Sequence, residues 1–236
     1  MTTRGRACAA AIAGLLSVPG FVWAQSVIPD KGVSATALPP AIPIFPLPDA
    51  TLFPKISRAL HIFEPRYRAM VADVLKGDRI IGMVLLRPGY EADYEGRPPV
   101  YPIGCAGVIT SSEELPDGRF NIVLRGLVKF RVTGEDQSRP YRLAHVEAIP
   151  EAPTDDEQAA VRQHRSRLEV LLTPFMGGSV STPVPPEVPD EILINALAQY
   201  LDLDPIDRQG LLERDGLLKR AQGLIELLEK IPGSSR

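Results

Sequence analysis

The sequence predicts an α+β fold in which a β-rich part comes first and a helical part follows. Two observations carry this. Between Ile42 and Ile149 the apolar residues fall in short runs or strict alternation, cut by Gly, Pro and Asp turns, with one helical stretch set among them. Beyond Pro150 the period becomes that of amphipathic helices. The expected organisation is a signal segment over 1–24, a flexible leader over 25–41, a β domain over 42–150 and a helical subdomain over 151–236.

Met1 to Arg6 carries Arg4 and Arg6 with no acid, Ala7 to Val22 is small and apolar, and Val22-Trp23-Ala24 precedes Gln25. That layout is a secretory signal peptide cut after Ala24, which makes the expected location periplasmic or secreted, and cytoplasmic if the start or leader is misread. The apolar run is shorter than the roughly 20 residues a membrane span needs, so no membrane attachment is expected after cleavage. The 26 basic side chains less Arg4 and Arg6, against 29 acidic ones, leave a net charge of −5. An acidic chain argues against nucleic acid as a partner. Cys8 leaves with the signal and Cys105 remains alone, with burial as its expected role.

From Ile42 the elements follow in order. Pro43, Pro46, Pro48 and Pro54 each remove an amide donor, so only short edge strands are expected, around Ile44-Phe45 and Leu52-Phe53, joined by a Pro48-Asp49 turn. Glu64-Pro65 starts a helix with Tyr67, Met70, Val71, Val74 and Leu75 on one face, and Gly77 is expected to stop it. Arg79 to Leu86 reads as a strand buried on both faces, and Arg87 to Pro99 as a surface loop. Tyr101 to Thr110 is strand-like, with glycines that signal a bulge or close backbone approach. A turn at Leu115-Pro-Asp-Gly118 leads to alternating strands on either side of Gly126 and again over Tyr141 to Ile149. The expected count is five or six short strands and one inserted helix.

In the second part, Thr154-Asp-Asp-Glu157 is a capping box opening a helix to about Leu172. After a proline- and glycine-rich loop, Asp190 is expected to cap a helix that buries Ile192, Leu193, Ala196, Leu197, Tyr200 and Leu201. Asp204-Pro205 starts a third helix, and Leu217 to Ile231 forms a fourth.

Catalytic patterns are missing from this sequence. Gly77-Asp-Arg-Ile-Ile-Gly82 has phosphate-loop glycines, but Met83-Val84 stands where Lys and Ser or Thr are required. His61, His145 and His164 lack metal-ligand spacing, and Asp202, Asp204 and Asp207 lack the Gly and Glu of a calcium loop. No metal and no cofactor is expected. His61 beside Phe63 reads as structural. Glu64, Arg66 and Arg68 read as charge pairing at the helix start, with Arg125 as a distant partner. The functional alternative is recognition of a ligand's backbone or carboxylate by a guanidinium fork.

Pro43-Ile-Phe-Pro-Leu-Pro48, Leu60-His-Ile-Phe-Glu-Pro-Arg-Tyr-Arg-Ala-Met70, Gly82-Met-Val-Leu-Leu86, Ile103-Gly-Cys-Ala-Gly-Val108 and Leu115-Pro-Asp-Gly-Arg-Phe-Asn-Ile-Val-Leu-Arg-Gly126 together resemble, in order and spacing, the N-terminal substrate-recognition domain of the Lon protease family. The resemblance covers about Ala41 to Ile231. It implies a PUA-like β-pseudobarrel followed by a helical bundle, a role in substrate capture and oligomer contacts, and catalysis in domains that these 236 residues do not encode. The function expected on this basis is a non-enzymatic polypeptide-binding or adaptor module. Its partners would be unfolded or client polypeptides or a partner protease, and a homo-oligomer is a further option. Candidate contact residues are Phe53, Phe63 and Arg66 on the proline-rich edge, set against the reading that the aromatics fill the core. An RNA-binding PUA-like module and a small hydrolase, using His61 or His145 beside a serine or Cys105, are the alternatives.

Overall fold

A computed structural model describes residues 38–94, 96–152, 154–172, 185 and 187–230. The expected signal segment, most of the leader and most of the 173–189 loop lie outside these residues. The described chain divides into two compact units, one ending at Pro150 and the other beginning at Glu151.

The first unit holds strands β1 (Ala41–Leu47), β2 (Ser57–Ile62), β3 (Ile80–Leu85), β4 (Ile103–Glu114), β5 (Phe120–Asp136) and β6 (Arg142–Ile149), with helix α1 (Pro65–Val74) between β2 and β3. Neighbours run β2-β5-β4-β3-β1-β6, and β5 also pairs with β6. Five strands thus close into a ring, the pseudobarrel that the resemblance implies, and β2 attaches to the first half of β5. One strand can serve three neighbours because β5 is 17 residues long and bends. Its ladders skip Leu127 opposite β4 and Thr133 opposite β6, extra residues of the kind that kink a strand. The two strands expected around Gly126 are therefore one.

The proline-rich stretch departs from expectation. β1 is not an edge strand: it pairs antiparallel with β6 through Ala41–Ile44 and parallel with β3 through Ile44–Leu47. Each half is paired on one side only, so Pro43 and Pro46 both stand where a strand can lack a donor. Leu52 and Phe53 form no strand, although both are fully buried. Instead β2, a mixed polar segment without a clear apolar alternation, finds its ladder on β5. The turn that leads into β2, closed by the Ile56 amide on the Phe53 carbonyl at 3.2 Å, packs against Gly126, where a Cβ would lie 2.1 Å from that carbonyl oxygen.

All six residues of β3 are buried, as expected of a strand covered on both faces. The ring's core gathers Ile42, Ile44, Ile80, Val84 and Ala144 around Phe130. A Cβ at Gly82 or Gly104 would come within 2.7 Å of the Phe130 ring, which explains two of the strand glycines. Helix α1 begins at Pro65 and buries Tyr67, Met70, Val71 and Val74. The left-handed residue that ends its turn is Arg79 (φ 60), not Gly77, because the Arg79 amide reaches back to the Val74 carbonyl at 3.1 Å.

The second unit contains α2 (Asp155–Leu172), α3 (Asp190–Tyr200), α4 (Pro205–Glu213) and α5 (Gly216–Glu229), with α5 in contact with the other three. The capping box forms on both sides: the Thr154 amide donates to Glu157 at 2.9 Å, and the Glu157 amide to the Thr154 hydroxyl at 3.3 Å. The N-cap of α3 is Pro189, one residue before the expected Asp190, whose carboxylate instead takes Arg165 at 3.0 Å. The buried face of α3 is also rotated from expectation, to Leu193, Ile194, Asn195, Ala198 and Gln199. The cause is Arg220 of α5, fully buried, which donates to Asn195 Oδ1 at 2.7 Å and draws that polar side chain inward.

Candidate functional site

The junction of β2 and α1 holds the residues singled out in the sequence. Phe53 has no exposed surface, so its side chain belongs to the core and offers nothing to a ligand in this conformation. Phe63 is the opposite case: 60% of it is exposed, and its ring lies 6.3 Å from that of His61. The core reading therefore fails for this aromatic. His61 hydrogen-bonds to Asn121 at 2.8 Å and contacts Arg119 at 3.2 Å, and Cys105 is fully buried. These neighbours give His61 no nucleophile. Along this side β2 has β5 as one neighbour and no strand as the other among the described residues.

Arg66 pairs with Glu64, the charge pairing expected at the helix start. Glu64 accepts from Arg66 Nε at 3.0 Å and from the Tyr94 hydroxyl at 2.8 Å, and Arg125 is not its partner. The Arg66 guanidinium lies 4.7 Å from the Tyr67 ring centroid and 5.1 Å from that of Tyr94, so rings and carboxylate fix its orientation.

Arg66 and Tyr67 form one wall of a cleft of about 190 Å³. The loop after β3 supplies Tyr94, Gly96, Arg97 and Pro98, the approach to β6 supplies Pro140 and Tyr141, and β6 itself supplies Arg142. Arg142 makes a two-nitrogen fork with Glu135, through Nε at 2.9 Å and through Nη2, and also donates to the Pro98 carbonyl at 2.7 Å. Arg97 reaches the same Glu135 at 3.7 Å and the Asp136 carbonyl at 3.3 Å. None of the lining residues is a Ser, Thr, Cys or His, so the cleft presents hydrogen-bond donors and no nucleophile. Among the described residues no group of three or more His, Cys, Asp or Glu is placed to hold a metal ion. No described helix is long and apolar enough to cross a membrane.

Residues 41–230 match the family of ATP-dependent protease La (LON) substrate-binding domains. The chain is a member of that family. The match of this LON substrate-binding domain extends to whole proteases, although over only part of their length. It is 25% identical over 208 residues to Lon protease 1 of Herpetosiphon aurantiacus, covering 83% of this chain and 25% of that protein. With Lon protease 2 of Myxococcus xanthus it shares 24% over 210 residues, 87% of this chain and 25% of the relative. The chain thus spans about a quarter of the length of these relatives. Its fold is that of the N-terminal domain of the Mycobacterium avium complex Lon protease, with a TM-score of 0.59 at 17% identity, over 80% of this chain and 98% of that one. A Lon N-terminal domain protein from Xanthomonas campestris aligns at a TM-score of 0.50 and 21% identity, over 81% and 99%.

Within this LON domain the electrostatics of the cleft keep its donors protonated. Burial raises the Tyr67 phenol well above its usual range, and Arg66 only partly opposes the rise. Burial and the hydrogen bond to Glu64 raise Tyr94, and burial with the bond to Asp73 raises Tyr141. Burial also works against the Arg66 charge, but Tyr67 and Glu64 outweigh it, so the guanidinium is held still more firmly in its charged form. Of these groups the sequence reading found Arg66 alone. A faint signal for the rest was available in the repeated pairing of Tyr with Arg, at Arg66-Tyr67 and Tyr141-Arg142.

Proposed function

We propose that this chain is a non-catalytic polypeptide-binding module that holds extended, apolar-containing segments of client proteins. Membership of the LON substrate-binding domain family over residues 41–230 is the observation that carries this reading. The β unit supports it with a strand edge at β2, where an extended segment can add main-chain hydrogen bonds, and with an exposed aromatic at its end. Phe63 anchors the client's apolar side chains, and Arg66 faces the cleft at the start of the neighbouring helix. The matched region corresponds to the substrate-binding part of the relatives and not to their ATPase or protease parts, which supports binding without turnover. Export, proposed from the layout of residues 1–24, would place this binding outside the cytosol.

The reading is tested by titrating the protein against a fluorescently labelled, permanently unfolded polypeptide and following anisotropy. Saturable binding is expected, and Phe63→Ser is expected to weaken it about tenfold while leaving the circular dichroism spectrum intact. Absence of binding to any unfolded client would overturn it.

A further inference from the structure

The cleft beside α1 has more donors than acceptors. Glu64 and Glu135, the carboxylates paired with its arginines, are already engaged by Arg66, Tyr94, Arg142 and Arg97. Three guanidinium groups line the cleft, and no carboxylate is itself a lining residue. Two donors remain uncommitted among the described residues. Arg97 uses only Nη1, and the Tyr67 hydroxyl, which solvent in the cleft reaches, has no protein hydrogen-bond partner. Tyr67 lines the cleft beside Arg66, Arg97 and Arg142. Donors placed like these are free to exchange solvent for the acceptor of a ligand.

We infer that this cleft binds a carboxylate, with Arg97 and Tyr67 as the donors that meet it and Arg66 and Arg142 as fixed positive walls. A planar carboxylate suits the guanidinium fork, and the cleft is lined by arginines and no acid. The space of about 190 Å³ admits a carboxylate with a short stem and little more. The inference rests on the polypeptide-binding reading only for the origin of the ligand. A client chain carries carboxylates at its C-terminus and on Asp and Glu side chains, and both sources offer the same chemistry.

The test follows cleft amide resonances by NMR during titration with acetate, inorganic phosphate and three short peptides of one sequence. One peptide has a free C-terminus, one a C-terminal amide, and one a C-terminal amide with an internal Glu. Acetate and at least one carboxylate-bearing peptide are expected to shift the cleft amides, the simple amide is not, and Tyr67→Phe and Arg97→Gln are each expected to weaken the response at least fivefold. Arg97→Lys, which keeps the charge and loses the fork, should recover part of it; Lys219→Gln, in the helical unit, should change nothing. A response to the free C-terminus alone assigns the chain end, and a response to the internal Glu assigns the side chain. Preference for phosphate over acetate, or equal response to acid and simple amide, overturns the inference. If unfolded clients bind without any cleft response, the inference fails and the polypeptide-binding reading stands; if acetate binds and no client does, the reverse holds.

Discussion

The two units each bury an arginine against a glutamate, and they do so to different ends. In the helical unit Arg220 has no exposed surface and every nitrogen is met: Nε by the Leu211 carbonyl at 3.1 Å, Nη1 by Asn195, and Nη2 by both oxygens of Glu151 at 2.8 and 2.9 Å. In the β unit Arg142 is also held by a glutamate, but it lines an open cleft, and Arg97 shares its carboxylate with donors to spare. An enclosed, saturated pair fixes helices against one another. A pair at the edge of a cavity stays open to solvent and to whatever the cleft admits.

The sharpest way to break this comparison is to remove one partner of the enclosed pair. Glu151→Ala leaves the Arg220 charge buried without its counter-ion, and a loss of about 3–5 kcal/mol is expected, read as reduced helical content in urea by circular dichroism. Replacing both members with apolar residues, as in a Glu151→Leu, Arg220→Met double substitution, should recover most of that loss, because such pairs are often no more stabilising than packed hydrocarbon. A single variant as stable as the parent would mean that Arg220 is not the pin of its unit.

The matching change in the cleft should be milder. Glu135→Gln keeps a hydrogen-bond acceptor, and solvent in the open cleft screens the charge left on Arg142, so about 1–2 kcal/mol is expected from denaturant unfolding. A loss equal to that of Glu151→Ala would erase the distinction between the two sites.

The smallest effect concerns the rim of the cleft. The hydrogen bond from Tyr141 to Asp73, at 2.9 Å, is the main cause that holds the Asp73 carboxyl below the usual aspartate range. A depressed folded-state pKa adds stability above the unfolded-state value, and that stability is lost as pH falls through the folded-state value. Tyr141→Phe should therefore raise the Asp73 pKa toward the ordinary one in a carbon-detected NMR titration. The accompanying stability change at neutral pH should be no more than about 0.5 kcal/mol, since the carboxylate is solvent-screened.

The difference between the units also explains what could be read in advance. The buried face of α1, the double-sided burial of β3, the capping box of α2 and the turn at Gly118 were legible because each depends on residues a few positions apart. The face of α3 was not, because Asn195 is inward only through Arg220, 25 positions away. Likewise β2 has no strong pattern of its own and exists as a strand through its ladder with β5. Of the contact candidates, Phe53 and Phe63 look alike in sequence, and only the path of the chain buries one and exposes the other.

Sequence alone determined the α+β class, the family and the absence of a phosphate-loop signature, since composition, local period and short motifs are properties of neighbouring residues. The tertiary structure alone decided the ring closure that admits two prolines into β1, and the cleft itself. Its walls come from positions as far apart as Pro46 and Arg142, and the spare donors of Arg97 and Tyr67 can be recognised only once every nearby acceptor has been placed.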